Sequence, residues 1–279
     1  MRNPFDVTAA REALVTGAGP WTELEFVPRL GSTNDRAAEL VRRSGRPWVA
    51  VLTDHQTGGR GRLGRAWVVP DRASVAVSAV VPVEHVATAA WVPLLAGLAL
   101  ERAVRQVARA GGRELTPRLK WPNDVLLADD GDRKLSGILC ELVPLGSGHG
   151  VVVGTGVNVD QTREELPTDA ATSLALAGAL VRREDLVVAY LRELARVVAP
   201  GAAAEGRAAY RLACATIGSD VRVHLPGGAA AEGRAIAVDD SGALVVATPQ
   251  GPRAFAAGDV VHVRPRRGRL AESGHGDQG

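Results

Sequence analysis

Lysine is almost missing from this chain of 279 residues. The basic total is 33, and only Lys120 and Lys134 are lysines, which leaves 31 arginines. Net charge is only +2, with acids and bases spread along the chain, so the extended basic footprint of a nucleic-acid binder is excluded. Cysteine is equally scarce. Cys140 lies in an apolar run and Cys214 follows Leu212 and Ala213, a spacing that supplies neither a metal site nor a disulfide framework; both read as reduced core residues. No stretch reaches the ~18 uninterrupted apolar residues of a membrane span. Met1 to Ala10 carries Asp6 among few apolar residues and is no signal peptide. A cytoplasmic protein without membrane attachment is expected. No repeat of roughly 20 to 50 residues is present, which excludes a solenoid.

What is present is ample material for a core. Hydrophobic residues make up 46% and charged residues 23%, and the length fits one large domain plus a small one at roughly 100 to 200 residues per domain. A coding bias toward Arg, Ala and Gly accounts for the missing lysine as background. It also makes the survivors informative, because a compact ammonium and a planar guanidinium fork are not interchangeable. Asparagine is similarly restricted, to Asn3, Asn34, Asn123 and Asn158.

Leu24 to Val27 reads as a strand, and Ser32 opens a helix to about Arg43 that Gly45 stops. Strands are expected at Trp48 to Thr53 and Ala73 to Val81. Asp54 to Arg65, with four glycines and three arginines, is too glycine-rich for a regular element. Trp91, Leu94, Leu95 and Leu98 set a helical period for a helix over Trp91 to Ala110, with Pro93 in its first turn and Gly111 and Gly112 ending it. Neighbouring strands are expected at Val125 to Leu127, Gly137 to Val143 and Val151 to Val157, with a turn at Asp129 to Asp132, and helices near Arg183 to Val198 and Ala202 to Ala215. From Ile217 the pattern changes. Alternating Val221, Val223 and Leu225, a turn at Gly227 and Gly228, and strand-like runs at Ala235 to Val238, Ala243 to Ala247 and Val260 to Val263 predict a small barrel. Beyond Arg264 the charged, glycine-rich tail is expected to fray.

The scarce residues fall in motifs. Gly58 to Arg65 combines glycines, which let backbone amides approach an anion, with arginines that bind carboxylate or phosphate bidentately; Trp67 follows, a surface for stacking a purine. The run has neither P-loop nor Rossmann spacing, and a flexible basic loop would look the same. Lys120-Trp121-Pro122-Asn123-Asp124 sets a point charge for a phosphate beside a carboxamide and a carboxylate that suit hydrated Mg²⁺, or else makes a turn. Lys134 heads Leu135-Ser136-Gly137, where a glycine lets a ligand lie against the backbone, or else is a surface lysine. Gly154-Thr155-Gly156-Val157-Asn158 ends an apolar run with a third asparagine, placed to read an adenine edge or to cap a turn. These residues describe a pocket on a mixed sheet for a carboxylate and a nucleotide, which is the inventory of carboxylate activation by adenylation.

At these residues the sequence resembles the biotin protein ligases. The match runs through Ser32-Thr33-Asn34, Gln56 with Gly59-Arg60-Gly61-Arg62 to Trp67, Lys120 to Asp124, Lys134 to Glu141 and Gly154 to Asn158, in family order, over about residues 20 to 265. The resemblance implies an α+β fold: a mixed-sheet catalytic domain of the biotin/lipoate ligase type over residues 1–216, an SH3-like barrel over 217–267 and a disordered tail over 268–279. It implies that biotin and MgATP give biotinyl-5′-AMP and pyrophosphate. A lysine of a biotin carboxyl carrier domain, from an acyl-CoA or pyruvate carboxylase, then takes the biotinyl group.

By position, the resemblance assigns biotin to Ser32, Thr33, Asn34, Gln56, Gly59, Arg60, Arg62, Lys134, Gly137 and Gly154. It assigns ATP to Arg62, Arg65, Trp67, Lys120, Asn123, Lys134 and Asn158, and catalysis to Arg62, Lys120, Asp124 and Lys134, with Asp124 orienting or deprotonating the acceptor lysine. Mg²⁺ is expected through the ATP phosphates, with no protein metal site. Leu63 departs from the family pattern in an otherwise basic stretch. Only 31 residues precede Ser32, against roughly 40 or more for three DNA-binding helices with turns, so a ligase without repressor function is expected, as monomer or homodimer. The rival readings are a lipoate or octanoate ligase or transferase, a DNA-binding biotin-responsive regulator, and a carrier-binding module without activity.

Overall fold

A computed structural model describes residues 2–262 apart from 18, 68, 69, 147, 226, 227 and 257. The elements, in order, are α1 (Val7–Leu14), β1 (Glu23–Leu30), α2 (Thr33–Ser44), β2 (Val49–Gln56), β3 (Gly59–Arg60), β4 (Ala66–Trp67), β5 (Ser74–Val83), α3 (Val92–Ala110), β6 (Pro117–Lys120), β7 (Asp124–Leu127), β8 (Arg133–Leu145), β9 (Gly148–Asn158), α4 (Arg183–Val197) and α5 (Ala203–Ala213). Five strands complete the described chain: β10 (Asp220–His224), β11 (Ala230–Val238), β12 (Leu244–Thr248), β13 (Gly251–Phe255) and β14 (Asp259–His262).

Local chemistry sets the first crossover. The Ser32 hydroxyl accepts from the Asp35 amide at 3.3 Å and starts α2, and Gly45, in the left-handed region at φ 67°, ends it. α2 thereby links β1 to β2 as a parallel pair at one edge of a seven-stranded sheet ordered β1-β2-β5-β9-β8-β7-β6, in which every other pairing is antiparallel. Strand alternation then divides the sheet's residues between two faces. Val49, Val51, Val80 and Val152 pack against Ala37 and Val41 of α2, while Ala50, Leu52, Ala79, Val81, Val151 and Val153 join the larger core with α1, α3 and α4. At ~1.5–3 kcal/mol per buried valine-sized side chain, this smaller valine cluster is enough to fix the register that builds the site.

The helical stretch Val86–Ala110, of which α3 is the greater part, is long and apolar enough to cross a membrane, yet it belongs to the core: Leu94, Leu98, Leu100 and Val104 are buried against the sheet and α4. The second sheet is antiparallel, ordered β13-β12-β11-β10-β14, with a bulge between Ala235 and Ala237. Its turn at 239–242 seats against the first sheet's helices, where the Trp91 indole donates to the Asp240 carbonyl at 2.8 Å and the Trp121 indole to the Gly242 carbonyl at 3.0 Å.

One expectation needs correction. The 54–65 stretch is not wholly irregular, because β2 continues to Gln56 and Gly59-Arg60 pairs with Ala66-Trp67 as a two-residue hairpin. The C-terminal strands form the expected separate, small antiparallel unit; among the described residues its sheet edges are β13 and β14. Helix α1, capped by the Asp6 carboxylate on the Ala9 amide, and strand β13 were not foreseen. Gly227, Val263 and the proposed tail lie outside the described residues.

Candidate active site

Register brings small residues into one patch. Ser78, Gly154 and Leu139 sit abreast on β5, β9 and β8, and the next rank on that face holds Ala76, Gly156 and Gly137, with Asp124 of β7 beside Gly137. On the face that α2 covers farther along, this patch is too shallow in side chains to fill itself. The result is a cavity of about 1010 Å³, at the upper end of the roughly 300 to 1000 Å³ of small-molecule pockets and roomy enough for two ligands.

One end of the cavity lies under the N-terminus of α2. Ser32, Thr33 and Asn34 are all buried there. The Gln56 Oε1 accepts from the Thr33 amide at 2.9 Å and from its hydroxyl at 3.0 Å. Ser78 Oγ lies 2.7 Å from Thr33 Oγ1 and donates to Asn34 Oδ1 at 2.6 Å. The Asn34 amide donates to the Leu139 carbonyl at 3.3 Å and to Glu141 at 2.7 Å. Gly154 is required beneath it, since a Cβ there would strike the Asn34 carboxamide.

In the middle, Lys134 Nζ lies 2.6 Å from Asp124 Oδ1, over Gly137. Arg62 donates to Asn123 Oδ1 at 3.3 Å, and Asn123 in turn donates to the Ile138 carbonyl at 2.8 Å. Burial pulls the Arg62 guanidinium below its ordinary value against the pull of Asp259 and Asp124, although an arginine remains charged. This stretch therefore concentrates cation for an anionic group between the two ends.

The far end is carried by the β3–β4 hairpin. The Trp67 indole lies across Gly156, where any Cβ would collide with the ring, and its Nε1 is buried without a hydrogen-bond partner. Arg65 reaches across to Asp259 at 2.6 Å. Leu63 is exposed and in the left-handed region at φ 56°, followed by Gly64 at φ 71°. Lys120 lies beside His262, whose pKa is lowered by burial and by the Lys120 charge. Asn158 donates to the Thr172 carbonyl and accepts from Gln161, both at 2.9 Å.

Of the residues singled out from sequence, Ser32, Thr33, Asn34, Gln56, Arg60, Arg62, Arg65, Trp67, Lys120, Asn123, Asp124, Lys134, Gly137, Gly154 and Asn158 all line this cavity. Gly59 does not; a Cβ there would strike the Gln56 carboxamide and the Trp67 carbonyl, so it serves the hairpin beside the cavity. The Arg60 guanidinium is engaged by Asp35, at 3.0 Å. Sequence reasoning missed Ala76 and Ser78, whose period-two smallness in an otherwise valine-rich strand was a usable signal. It also missed 167–171 and 258–262, which carry no motif. Among the described residues no group of three His, Cys, Asp or Glu side chains is placed to hold a metal.

Residues 26–158 match the biotin/lipoate A/B protein ligase family and residues 216–263 the biotin protein ligase C-terminal domain. The chain is 39% identical to a biotin–[acetyl-CoA-carboxylase] ligase of Mycobacterium tuberculosis, over 95% of this chain and 98% of the relative. It is 32% identical to the enzyme of that name from Paracoccus denitrificans, over 84% and 98%. Similarity to the bifunctional ligase/repressor BirA of Escherichia coli is 34%, over 60% of this chain and 51% of that protein. Among solved structures, a biotin protein ligase from Aquifex aeolicus in complex with biotin and ATP superposes with a TM-score of 0.69, at 24% identity, covering 88% of this chain and all of that one.

Proposed function

The chain belongs to the biotin protein ligase family, and from that membership we infer that it is an ATP-dependent biotin–[acetyl-CoA-carboxylase] ligase. It activates biotin with MgATP to biotinyl-5′-AMP and transfers the biotinyl group to a lysine of a biotin carboxyl carrier domain. The match over 216–263 to a domain named for biotin protein ligases, together with relatives named as biotin ligases, favours biotin over lipoate.

The observation that carries the residue roles is the Lys134–Asp124 pair set over the glycine floor between two unlike ends. Thr33 and Gln56 form the polar end, suited to the ureido group of biotin, with Ser32 and Asn34 as its walls. The biotin carboxylate then lies toward Arg62 and Lys134. Its oxygen attacks the α-phosphorus of ATP, the bond to pyrophosphate breaks, and charge accumulates on the phosphoryl oxygens. Lys134, already in position, and Arg62, brought in with the hairpin, stabilise that charge. Lys120 and Arg65 take the outgoing phosphates, while Trp67 and Asn158 hold the adenine, with the indole Nε1 as a donor in want of an acceptor. Asn123 and Asp124 have oxygens beside the phosphate path and would hold a hydrated Mg²⁺ bound to the triphosphate, which would supply neutralisation of phosphate charge. In the second step the carrier lysine's amine attacks the acyl carbon, AMP leaves, and Asp124 orients the amine and accepts its proton.

The residue ranges 1–216 and 217–267 as catalytic and C-terminal domains, carriers of acyl-CoA and pyruvate carboxylases as the wider acceptor class, and a cytoplasmic location belong to the same proposal. The deciding experiment is pyrophosphate exchange and transfer to a purified carrier domain, with biotin against lipoate and wild type against Lys134→Ala. Biotin-dependent exchange is expected, reduced about 10²- to 10³-fold in the variant, the usual cost of removing a transition-state donor. Exchange driven only by lipoate overturns the reading.

A further inference from the structure

Residues 159–182, between β9 and α4, contain no helix or strand, a length beyond the roughly 12 to 15 residues at which unstructured connections are uncommon unless functional. Part of this connection nevertheless forms a cavity wall, through Pro167, Thr168, Ala170 and Ala171. One carboxylate ties two parts of it together. Asp130 Oδ2 accepts from Arg163 Nη2 at 2.8 Å and from Thr172 Oγ1 at 2.6 Å, and Oδ1 accepts from Arg133 Nη1 at 2.6 Å. Both arginines then reach on to main chain: Arg163 Nη1 donates to the Ala171 carbonyl at 2.9 Å, and Arg133 Nε to the Asp169 carbonyl at 2.8 Å.

The same segment is stitched to the reacting centre. The Lys134 amide donates to the Ala170 carbonyl at 2.7 Å, and the Thr172 amide donates to the Lys134 carbonyl at 2.9 Å. The Thr172 carbonyl also receives the Asn158 carboxamide. Burial alone would raise the Asp130 pKa, but the Arg163 and Thr172 hydrogen bonds and the Arg133 charge bring it below the usual carboxylate value, so the hub is ionised and fully engaged at neutral pH.

We propose that Asp130, with Arg163 and Thr172, is a positioning hub: it holds 167–172 as the nucleoside wall of the cavity and fixes the backbone from which Lys134 and Asn158 work. The hub touches no reacting atom. The proposal rests on the reading that this end of the cavity takes the nucleotide. Charge-assisted hydrogen bonds to a carboxylate are the strong class, and beyond the single bridge of Ala171 to Lys134 the wall has no secondary structure to fall back on when they are removed. The polar end under α2 shares no bond with the hub, so the two substrates respond differently to its loss.

The test uses the full chain with Asp130→Asn, Arg163→Met and Thr172→Val. Calorimetry measures binding of biotin and, separately, of α,β-methylene-ATP with Mg²⁺; pyrophosphate exchange gives KM for ATP against KM for biotin. Nucleotide affinity is expected to fall about tenfold in each of the three variants, the scale of one hydrogen bond to a charged group, with biotin, which the hub reaches only through the Lys134 backbone, losing no more than about threefold. Unchanged nucleotide affinity, or an equal fall for both ligands, overturns the proposal. Should Asp130→Asn fail to fold, Thr172→Val decides by the same split. A wild-type protein that binds nucleotide but not biotin removes the functional reading above, while the hub is still judged on nucleotide binding.

Discussion

The end of the cavity under α2 and the end carried by the β3–β4 hairpin are made from different material. At the first, Thr33, Asn34, Ser78 and Gln56 are locked to one another and to strand carbonyls, and Thr33, Asn34 and Ser78 are under a tenth exposed. At the second, Leu63 is 69% exposed in a left-handed conformation, Arg65 is spent on a surface ion pair, and Trp67 Nε1 has no partner. A non-glycine residue in the left-handed region costs on the order of 1 kcal/mol, and an orphaned buried N–H costs about as much or more. The first subsite exists before its ligand arrives; the second is completed by it. Binding energy from the nucleotide is thus available to order the hairpin and close the site over an anhydride that water would destroy.

The comparison breaks hardest at Gly154. Adding a methyl there drives it into the Asn34 carboxamide, which three hydrogen bonds hold in place. Overpacking of this kind costs about 1–3 kcal/mol, so Gly154→Ala is expected to weaken biotin binding by about 10- to 100-fold while nucleotide affinity stays near wild type. Calorimetry with each ligand alone checks this; equal losses for both would show that the two ends are one rigid unit.

Arg62→Gly probes the other end. The variant keeps the floor and Lys134, so adenylate still forms, but it loses the guanidinium that bridges the hairpin to Asn123. Free biotinyl-5′-AMP is expected to rise about tenfold, equivalent to one charged hydrogen bond lost from the closed complex, with labelling of bystander lysines alongside. Chromatography of the released adenylate measures the leak, and retention equal to wild type would place closure elsewhere than in the hairpin.

The two ends also differed in how much the sequence disclosed. The limits of α2 were readable from Ser32 and Gly45, because capping is local chemistry, while the polar end with Gln56 came only from the family resemblance. Lys134 and Asp124 stood out by residue type, but their pairing depends on β7 lying beside β8, which no single segment encodes. Gly156 was visible as a glycine; that it makes room for Trp67, 89 positions away, is a fact of register. The hairpin was hidden because two-residue strands have no period to detect. β13 was hidden by Pro252, which suits an edge strand and no other. The 258–262 and 167–171 walls present mostly backbone and small side chains to the cavity, and such walls leave no motif.

The smallest effect belongs to the contact between the hairpin and the C-terminal sheet. Arg65 pairs with Asp259 at 2.6 Å, the two side chains being 58% and 42% exposed. Screening limits an exposed pair to roughly 0.2–1 kcal/mol, and if Arg65 moves to the triphosphate, that much opposes nucleotide binding. Asp259→Asn removes the competing charge, and also a negative charge that faces Arg62. KM for ATP is therefore expected to fall by about twofold at low ionic strength, with the gain fading as salt is raised past the point where the Debye length is about 8 Å, and KM for biotin is expected to stay put. A rise in KM for ATP would mean that Asp259 holds the hairpin in its working position; the C-terminal sheet would then belong to the nucleotide subsite as a support, and the contrast between a finished end and an unfinished one would need to be redrawn around it.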